Sequence, residues 1–552
     1  MSAALSRRSV LAAGSGLLVS IALPGSQVWA DEPPLPGSLK ETPLLDAWIR
    51  VGPDGAITAF TGKTELGQGL KTALIQIVAE QLDVAPARIG LVTADTARTP
   101  NEGFTAGSHS MQDSGTALLN AAAQTRLLLL DAAAAALGVA AETLTVVDGV
   151  VHAQGGATRD YGSLAAALSL HVRAQPTGGL KDPASYRVMG ASMPRIDIPG
   201  KVTGGAAFIQ DMRLPGMLHA RAVRQPSTGA VLLRADTEAV GRLPGVVKVM
   251  REGSYLAVVA AKEWQAIKAM RALAASAEWR ESATLPEQSQ APALIRSLPA
   301  RDIPVLTWSN PAAPAVQRIS ARYTRPYQMH GAIGPSCALG AYLNIFAIES
   351  FVDELAAAAG ADPVDFRLRH LTDERARDVI RLAADRFGWD TKAPREPDRG
   401  RGFAFARYKN LGAYCAVALN LSVEHETGQI RLGRVVAAVD SGQPINPDGI
   451  RNQIEGAMVQ AASWTLYEEV RFDRRHITST DWSGYPVLRF PAAPDSVEVH
   501  VLPRPGQPFL GTGEAGQGPM AAAIANALRD ATGARVRDLP LSAERVKAAI
   551  GV

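Results

Sequence analysis

Cysteine is almost absent: the 552-residue chain has two, Cys337 and Cys415. Two thiols exclude a disulfide framework, and they exclude an iron–sulfur cluster held by this chain alone, because such a cluster takes four cysteine ligands. Aromatic residues make up only 5%, and no block of five or six like charges occurs. With 56 Lys and Arg against 53 Asp and Glu, the chain lacks the basic surplus that nucleic-acid binding requires. Long apolar runs are missing as well. The one candidate, Val10 to Leu23, carries Gly14 and Gly16 and is too short to span a bilayer. What remains is a globular protein with a small-molecule or protein partner, and any electrons it moves must be carried away by another component.

What is present fits a large folded chain. At 47% hydrophobic and 20% charged residues, it can bury substantial cores and is expected to divide into several domains. Ser6, Arg7, Arg8, Ser9, Val10 and Leu11 place paired arginines before the modest apolar run, and Val28, Trp29 and Ala30 close it with a cleavage-type segment. Residues 1–30 therefore read as a twin-arginine signal peptide, against the alternatives of an ordinary secretion signal or a disordered tail. The expected location is the bacterial periplasm, and that export route suits a cofactor inserted before crossing.

Along the mature chain, hairpins alternate with helices. AWIRVGPDGAITAFTGKT predicts two strands around Pro53–Gly55, and GLKTALIQIVAEQLDV has helical apolar spacing. The strand-like LVTADTA, the polar loop TPNEGFTAGSHSMQDSG and a helix through Leu127 to Leu137 follow. Pro and Gly enrichment over Lys181–Gly216 marks a boundary. The strands VVKVM and YLAVVAA come next, with the helix EWQAIKAMRALAA, and a Pro-rich linker is expected over Leu285–Pro314. Beyond it lie the helix NIFAIESFVDELAAAAG, a hairpin about Glu426–Gly428, the helix IRNQIEGAMVQAASWTLYEEV and a closing Ala-rich helix. The fold class is α+β, multi-domain.

Two nucleotide motifs fail on their own terms. Gly62, Lys63 and Thr64 lack the glycine that a phosphate loop needs at position 57, where Ile57 stands. Gly511, Gly513 and Gly516 have dinucleotide-fingerprint spacing, but Arg504–Pro508 interrupt any preceding strand and 36 residues after Gly516 leave no room for a second half-unit. Asp530, near the ribose-binding position, reads as an exposed helix residue. In GTGEAGQGP the glycines permit a tight path, and the following helix turns its positive end toward the loop. Glu514 is then either a carboxylate presented beside a bound anion or a cap of that helix.

Glu514 in its loop, with AIANALRDATGARVRDLPLSAERV behind it, resembles the carboxyl end of the molybdenum-binding subunit of the xanthine dehydrogenase and aldehyde oxidase family, and more narrowly its isoquinoline 1-oxidoreductase beta-subunit type. TGKTELGQGLKTALIQIVAEQLDV, NEGFTAGSHSMQDSGTALLNAA, RIDIPGKVTGGAAFIQDMRLPGMLHARAVRQP and AVDSGQPINPDGIRNQIEGAMVQAASWTLYEEVRF carry the likeness in the order that subgroup uses. The resemblance implies a molybdenum-pterin cofactor, in its cytosine dinucleotide form, and hydroxylation of an N-heteroaromatic or oxidation of an aldehyde with water as oxygen source. It implies Glu514 as the general base, and Gly67, Gln68, Gly69, Thr105, Ser108, Ser110 and Gly513 as cofactor-binding residues. No protein ligand to the metal is needed, since the pterin sulfurs hold it. Read from the residues alone, the first three form a hairpin-to-helix turn and the Thr105–Ser110 group caps a helix. His109 and His330 read as polar packing residues. A small [2Fe-2S] subunit and a c-type cytochrome are the implied electron partners.

The implied domains are the signal peptide 1–30, an amino-terminal part of the cofactor domain over 31–185, an a/b hammerhead over 186–284, a linker and truncated first cofactor-binding domain over 285–340, and a carboxyl-terminal cofactor domain over 341–552. One departure stands out. After YTRPYQMHGAIGPSCA, near Ala338, the family continues into a further cofactor-binding segment, whereas this chain runs directly into LGAYLNIFAIES. Two readings follow: a catalytic molybdenum hydroxylase subunit, or an internally deleted, non-catalytic remnant that retains at most partner binding.

Overall fold

The computed structural model describes residues 33–176, 178–297, 340–390 and 396–552. The expected signal peptide, His330, Cys337 and the junction near Ala338 lie outside the described residues. The chain divides after Pro34, and the elements below all belong to the unit from Leu35 to Val552.

The expected first hairpin is present, with β1 (Ile49–Val51) antiparallel to β2 (Ile57–Thr61) and Ile49 opposite Ala59. Helix α1 (Leu70–Leu82) crosses over to β3 (Ile89–Thr93), which runs parallel to β2. The helix is buried almost all round, so its polar residues need partners. Gln76 Nε2 donates to the carbonyls of Val188 and Ala191, each at 2.9 Å. Glu80 Oε2 accepts the N–H groups of Arg187, Val188 and Met189 at 2.8, 2.6 and 3.1 Å. These bonds fasten residues 187–191 to α1. A π-helical turn, Met111–Gly115, occupies the end of the expected polar loop and leads into α2 (Thr116–Leu137), which stops where Gly138 takes the left-handed conformation. Strands β4 (Thr145–Val147), β5 (Val150–His152) and β6 (Thr158–Asp160) form a small antiparallel sheet beside it.

A second, smaller core gathers Val223, Leu232, Leu256, Val258 and Leu273. It lies among β7 (His219–Val223), β8 (Val231–Arg234), β9 (Val246–Glu252), β10 (Tyr255–Ala260), α3 (Glu263–Ser276) and β11 (Glu278–Arg280). The strands pair as β7-β10-β9 and β11-β8. The linker expected from Leu285 is not wholly irregular, because Ala291–Ser297 forms the short helix α4.

The third part carries the largest core. Helices α5 (Gly340–Ala358), α6 (Pro363–His370) and α7 (Glu374–Phe387) precede β12 (Arg399–Arg407), β13 (Tyr414–Val423) and β14 (Ile430–Asp440). Helix α8 (Pro447–Leu466) then crosses to β15 (Ser496–Val501), which is why β15 runs parallel to β14 in a sheet ordered β12-β13-β14-β15. Helix α8 ends at Leu466, four residues short of the expected Val470; beyond it Ser463 Oγ donates to Glu468 instead. Tyr414 to Leu419 are buried at every position, as a strand covered on both faces requires.

Helix α9 (Gln517–Thr532) packs on β12 at a distance that only glycine allows. A Cβ on Gly402 would lie 1.9 Å from the Ala523 carbonyl, and one on Gly400 would lie 2.0 Å from that of Ala527. Asn526 Nδ2 donates to the Phe403 carbonyl at 3.0 Å, and Asp530 Oδ2 accepts the Arg401 N–H at 2.9 Å. Asp530 is therefore half-buried and engaged, which corrects the expectation of an exposed residue. Gly402→Ala is expected to lower stability by about 1–3 kcal/mol through overpacking, read as a reduced urea midpoint with an unchanged m-value.

Candidate active site

The loop Gly511–Gly516 immediately precedes α9 and touches two distant parts of the chain. Gly511 approaches the Ser108 backbone so closely that a Cβ there would sit 1.4 Å from the Ser108 carbonyl oxygen. That approach explains a glycine at 511. Ser108 takes a left-handed conformation, φ 61°, and its Oγ donates to Glu514 Oε2 at 3.0 Å. From the other side the Tyr408 hydroxyl donates to the same oxygen in a short hydrogen bond. Tyr408 stands just past β12, in a turn whose next two residues, Lys409 (φ 50°) and Asn410 (φ 58°), are also left-handed. Such positions cost about 1–3 kcal/mol each in non-glycine residues and persist where surrounding structure enforces them. The turn is tied back to the loop by the Ala413 N–H, which donates to the Gly511 carbonyl at 3.0 Å.

Glu514 does not cap α9. The N-cap is Gly516 and no side chain bonds there. Among the described residues its Oε1 accepts no hydrogen bond, while Oε2 holds both donors. Burial and the bond to Glu514 together push the Tyr408 hydroxyl far above the ordinary tyrosine range, so Tyr408 stays protonated and remains a donor.

Beside this cluster lies a cavity of about 130 Å³. Of the residues singled out in the sequence, Gln68, Gly69, Ser108, Ser110 and Gly513 line it. Thr105 does not: its Oγ1 accepts the Thr64 N–H at 2.8 Å, which also removes the helix-cap alternative for it. Ser110 precedes the π turn without capping it through its side chain. Gly67 is also outside the lining. The Glu65 carboxylate takes the N–H groups of Gly67, Gly69 and Lys71 at 2.9, 3.0 and 3.0 Å, and Arg195 donates to the Gly67 carbonyl. Gly67 and Gly69 thus offer room rather than free donors; at Gly67 a Cβ would meet nothing within 4 Å.

No acidic, basic or histidine side chain lines the cavity among the described residues. Its polar groups are hydroxyls and amides, including Gln443, Asn446, Gln453 and Thr512. The first turns of α1 and α8 both face it, through Gly69 and Leu70 and through Gly449 and Ile450, so two positive helix ends converge there. Lys63, by contrast, is buried and committed: Nζ donates to the carbonyls of Glu102 and Phe104 at 2.8 and 3.1 Å and pairs with Asp113 at 3.2 Å. That commitment agrees with the failure of the phosphate-loop spacing.

A family profile described as "Molybdopterin cofactor-binding domain" matches residues 14–201 and 347–494. The chain belongs to the molybdopterin cofactor-binding domain family. It is similar to a nicotinate dehydrogenase subunit from Pseudomonas putida, 32% identical over 701 positions that cover 92% of this chain and 59% of that one. It is also similar to the beta subunit of isoquinoline 1-oxidoreductase from Brevundimonas diminuta, 24% identical over 97% of this chain and 96% of that one. A solved structure, the aldehyde oxidoreductase from Desulfovibrio desulfuricans, aligns at 14% identity with a TM-score of 0.49, covering 90% of this chain and 91% of that one. The chain spans 59% of the length of the first relative. Since 92% of 552 residues is about 508, about 190 of the 701 aligned positions have no counterpart here.

The wall described above fits a molybdopterin group in kind. Neutral amide and hydroxyl groups suit a heterocycle with hydrogen-bonding edges, but the Gln68, Gln443 and Asn446 amides already bond the backbone of Thr64 and Leu66, of Pro444 and Gly506, and of Met193 and Gly449, and Glu65 and Asn446 meet the amino termini of α1 and α8, so only the remaining lone pairs and N–H groups are open. In size it is partial: about 130 Å³ is below the roughly 300 Å³ at which pockets begin to enclose small ligands. In this molybdopterin cofactor-binding domain protein the described residues form one wall of a site.

Behind that wall sits Asp440, fully buried at the end of β14. It accepts from Arg375 Nε at 2.9 Å, from Arg504 Nε at 2.8 Å and from the Gly442 N–H at 2.9 Å. Burial alone raises its pKa; the bonds from Arg375, Gly442 and Arg504 outweigh that and hold the carboxyl below the ordinary 3.8. It fixes the start of residues 441–446, where Ser441 accepts from Thr512 Oγ1 at 2.9 Å. Because the folded pKa is the lower one, the stabilisation is complete above the unfolded value and disappears as pH falls through the folded value. Acid titration of stability is expected to show a loss below about pH 4 that is absent in Asp440→Asn, with the variant already destabilised by about 1–3 kcal/mol at pH 7 because Arg375 loses its carboxylate, whereas Arg504 keeps Asp378.

Proposed function

We propose that this chain is a molybdenum hydroxylase subunit that oxidises an N-heteroaromatic or aldehyde substrate, with Glu514 as the general base. The observation that carries the reading is Glu514 itself: one carboxylate oxygen held by Ser108 and Tyr408 and the other without a partner among the described residues, next to a wall that carries no other acid or base. When bound, the molybdenum-pterin group, in its cytosine dinucleotide form, supplies two-electron oxidation with water as the oxygen source. Ser110 and the second N–H groups of the Gln68, Gln443 and Asn446 amides would hold its polar edges. Glu514 takes up at Oε1 the proton released as the substrate carbon gains its oxygen, while Oε2 stays fixed. Gly69 keeps the approach open. The names nicotinate dehydrogenase and isoquinoline 1-oxidoreductase support an N-heteroaromatic substrate class.

Two cysteines cannot ligate an iron–sulfur cluster, so the electrons pass to a separate [2Fe-2S] subunit, with a c-type cytochrome as the further outlet. Arg7 and Arg8 before the apolar run support twin-arginine export to the periplasm. Among the described residues no helix is long and apolar enough to cross a membrane. A second reading, an internally deleted remnant without catalysis, is favoured by the small cavity and by the roughly 190 positions without counterpart.

Metal and pterin analysis of the purified protein separates the two: near-stoichiometric molybdenum is expected, and its complete absence would leave the remnant reading. Glu514→Gln should retain the metal while kcat falls by about 10²–10⁴-fold, the usual contribution of a positioned base.

A further inference from the structure

We infer that Tyr408 is a positioning residue which, together with Ser108, fixes one oxygen of Glu514 and leaves the other as the oxygen that acts. The inference deepens the reading of Glu514 as a base and rests on it for its catalytic consequence. Tyr408 and Glu514 are 106 residues apart, and Ser108 and Glu514 are 406 apart. Nothing local forces the three side chains together.

Three features of the backbone show that the arrangement is built into the fold. Ser108, Lys409 and Asn410 are three of the seven non-glycine residues with positive φ among the described residues, and all three lie in the two segments that meet the Glu514 loop. Gly511 admits the Ser108 backbone where any Cβ would collide. The Tyr408 N–H donates to the Ala413 carbonyl at 2.9 Å, and the Gly412 N–H donates back to the Tyr408 carbonyl at 2.8 Å, closing the turn that aims the phenol.

The chemistry follows from the donor count. Two hydroxyl bonds on Oε2 fill that oxygen's lone pairs and hold it in place. Tyr408 is buried and remains protonated, so toward the carboxylate it is the donor. The other charged or titratable groups nearby are Lys409, whose Nζ lies 5.3 Å from the Tyr408 ring centroid, and His109, which packs against Gly107 as Lys409 does. The rotation of Glu514 about its last bond is thereby locked with Oε1 as the oxygen left to take a proton.

The test is the position of the Glu514 carboxyl infrared band in the purified full chain, assigned by its loss in Glu514→Gln. It reads the side chain whether or not the metal is loaded. Tyr408→Phe keeps the buried ring and removes the donor; the band should move to the position of a carboxyl group with one hydrogen bond fewer, and Ser108→Ala should move it by less. In metal-loaded protein Tyr408→Phe should lower kcat about tenfold or more with little change in KM. An unchanged band position in Tyr408→Phe that melts at the wild-type temperature overturns the inference. If the band moves while Glu514→Gln keeps full turnover, the positioning by Tyr408 stands and the base role of Glu514 falls.

Discussion

The Gly511–Gly516 loop meets the Ser108 backbone, and the geometry of the whole site follows from that contact. Only glycine lets the loop come so near, and only that nearness brings Ser108 Oγ and the Tyr408 phenol onto the same oxygen of Glu514. The contact lies where the two larger hydrophobic cores meet. Phe509, just before the loop, is buried in the amino-terminal core, whereas Leu510 and Ala515 belong to the carboxyl-terminal one. A change on either side that moved the loop by about half an ångström would be felt at the carboxylate, because packed interiors transmit strain and do not absorb it.

Around that contact the fold supplies rigidity from several directions. Helix α9 is pressed onto β12 through Gly400 and Gly402, so the loop is held from behind by a helix that cannot drift. Asp440 and its two arginines fix the end of β14, from which the Ser441–Asn446 segment runs along the cavity. Glu80 and Gln76 stitch residues 187–191 to α1, and α1 in turn presents Gly69 and Leu70 to the same cavity. Asp440 and Glu80 are each met by several donors, the pattern expected of devices that specify position. Together they make a stiff wall.

Much of this is legible in the chain. The first hairpin, α1, β9, β10, α3 and the closing Ala-rich helix follow from apolar periodicity, whereas the glycines of GTGEAGQGP leave Glu514 open between a presented carboxylate and a helix cap, and the family resemblance alone points to the first. Periodicity cannot mark Tyr408. ARYKNLG carries no pattern that signals two consecutive left-handed residues, and the partner of its tyrosine lies 106 positions away. Ser108 is visible as a polar residue in a glycine-containing loop, but its hydroxyl serves Glu514 and not a helix cap. Thr105 and Gly67 share motifs with cavity residues yet face local partners, since neighbours in a turn need not point the same way. Asp530 reads as exposed because the strand it bonds, β12, lies 129 residues earlier.

Whether Glu514 faces a molybdenum-pterin group held against this wall decides the functional reading, and an experimental structure of the protein isolated with its native metal content tests it without intermediaries. We expect density for the pterin along Gln68, Ser110 and Asn446, with Oε2 of Glu514 on Ser108 and Tyr408 and Oε1 turned toward the metal. A wall covered by this chain's own residues, or a Glu514 carboxylate turned away with both oxygens bonded to protein, would contradict it.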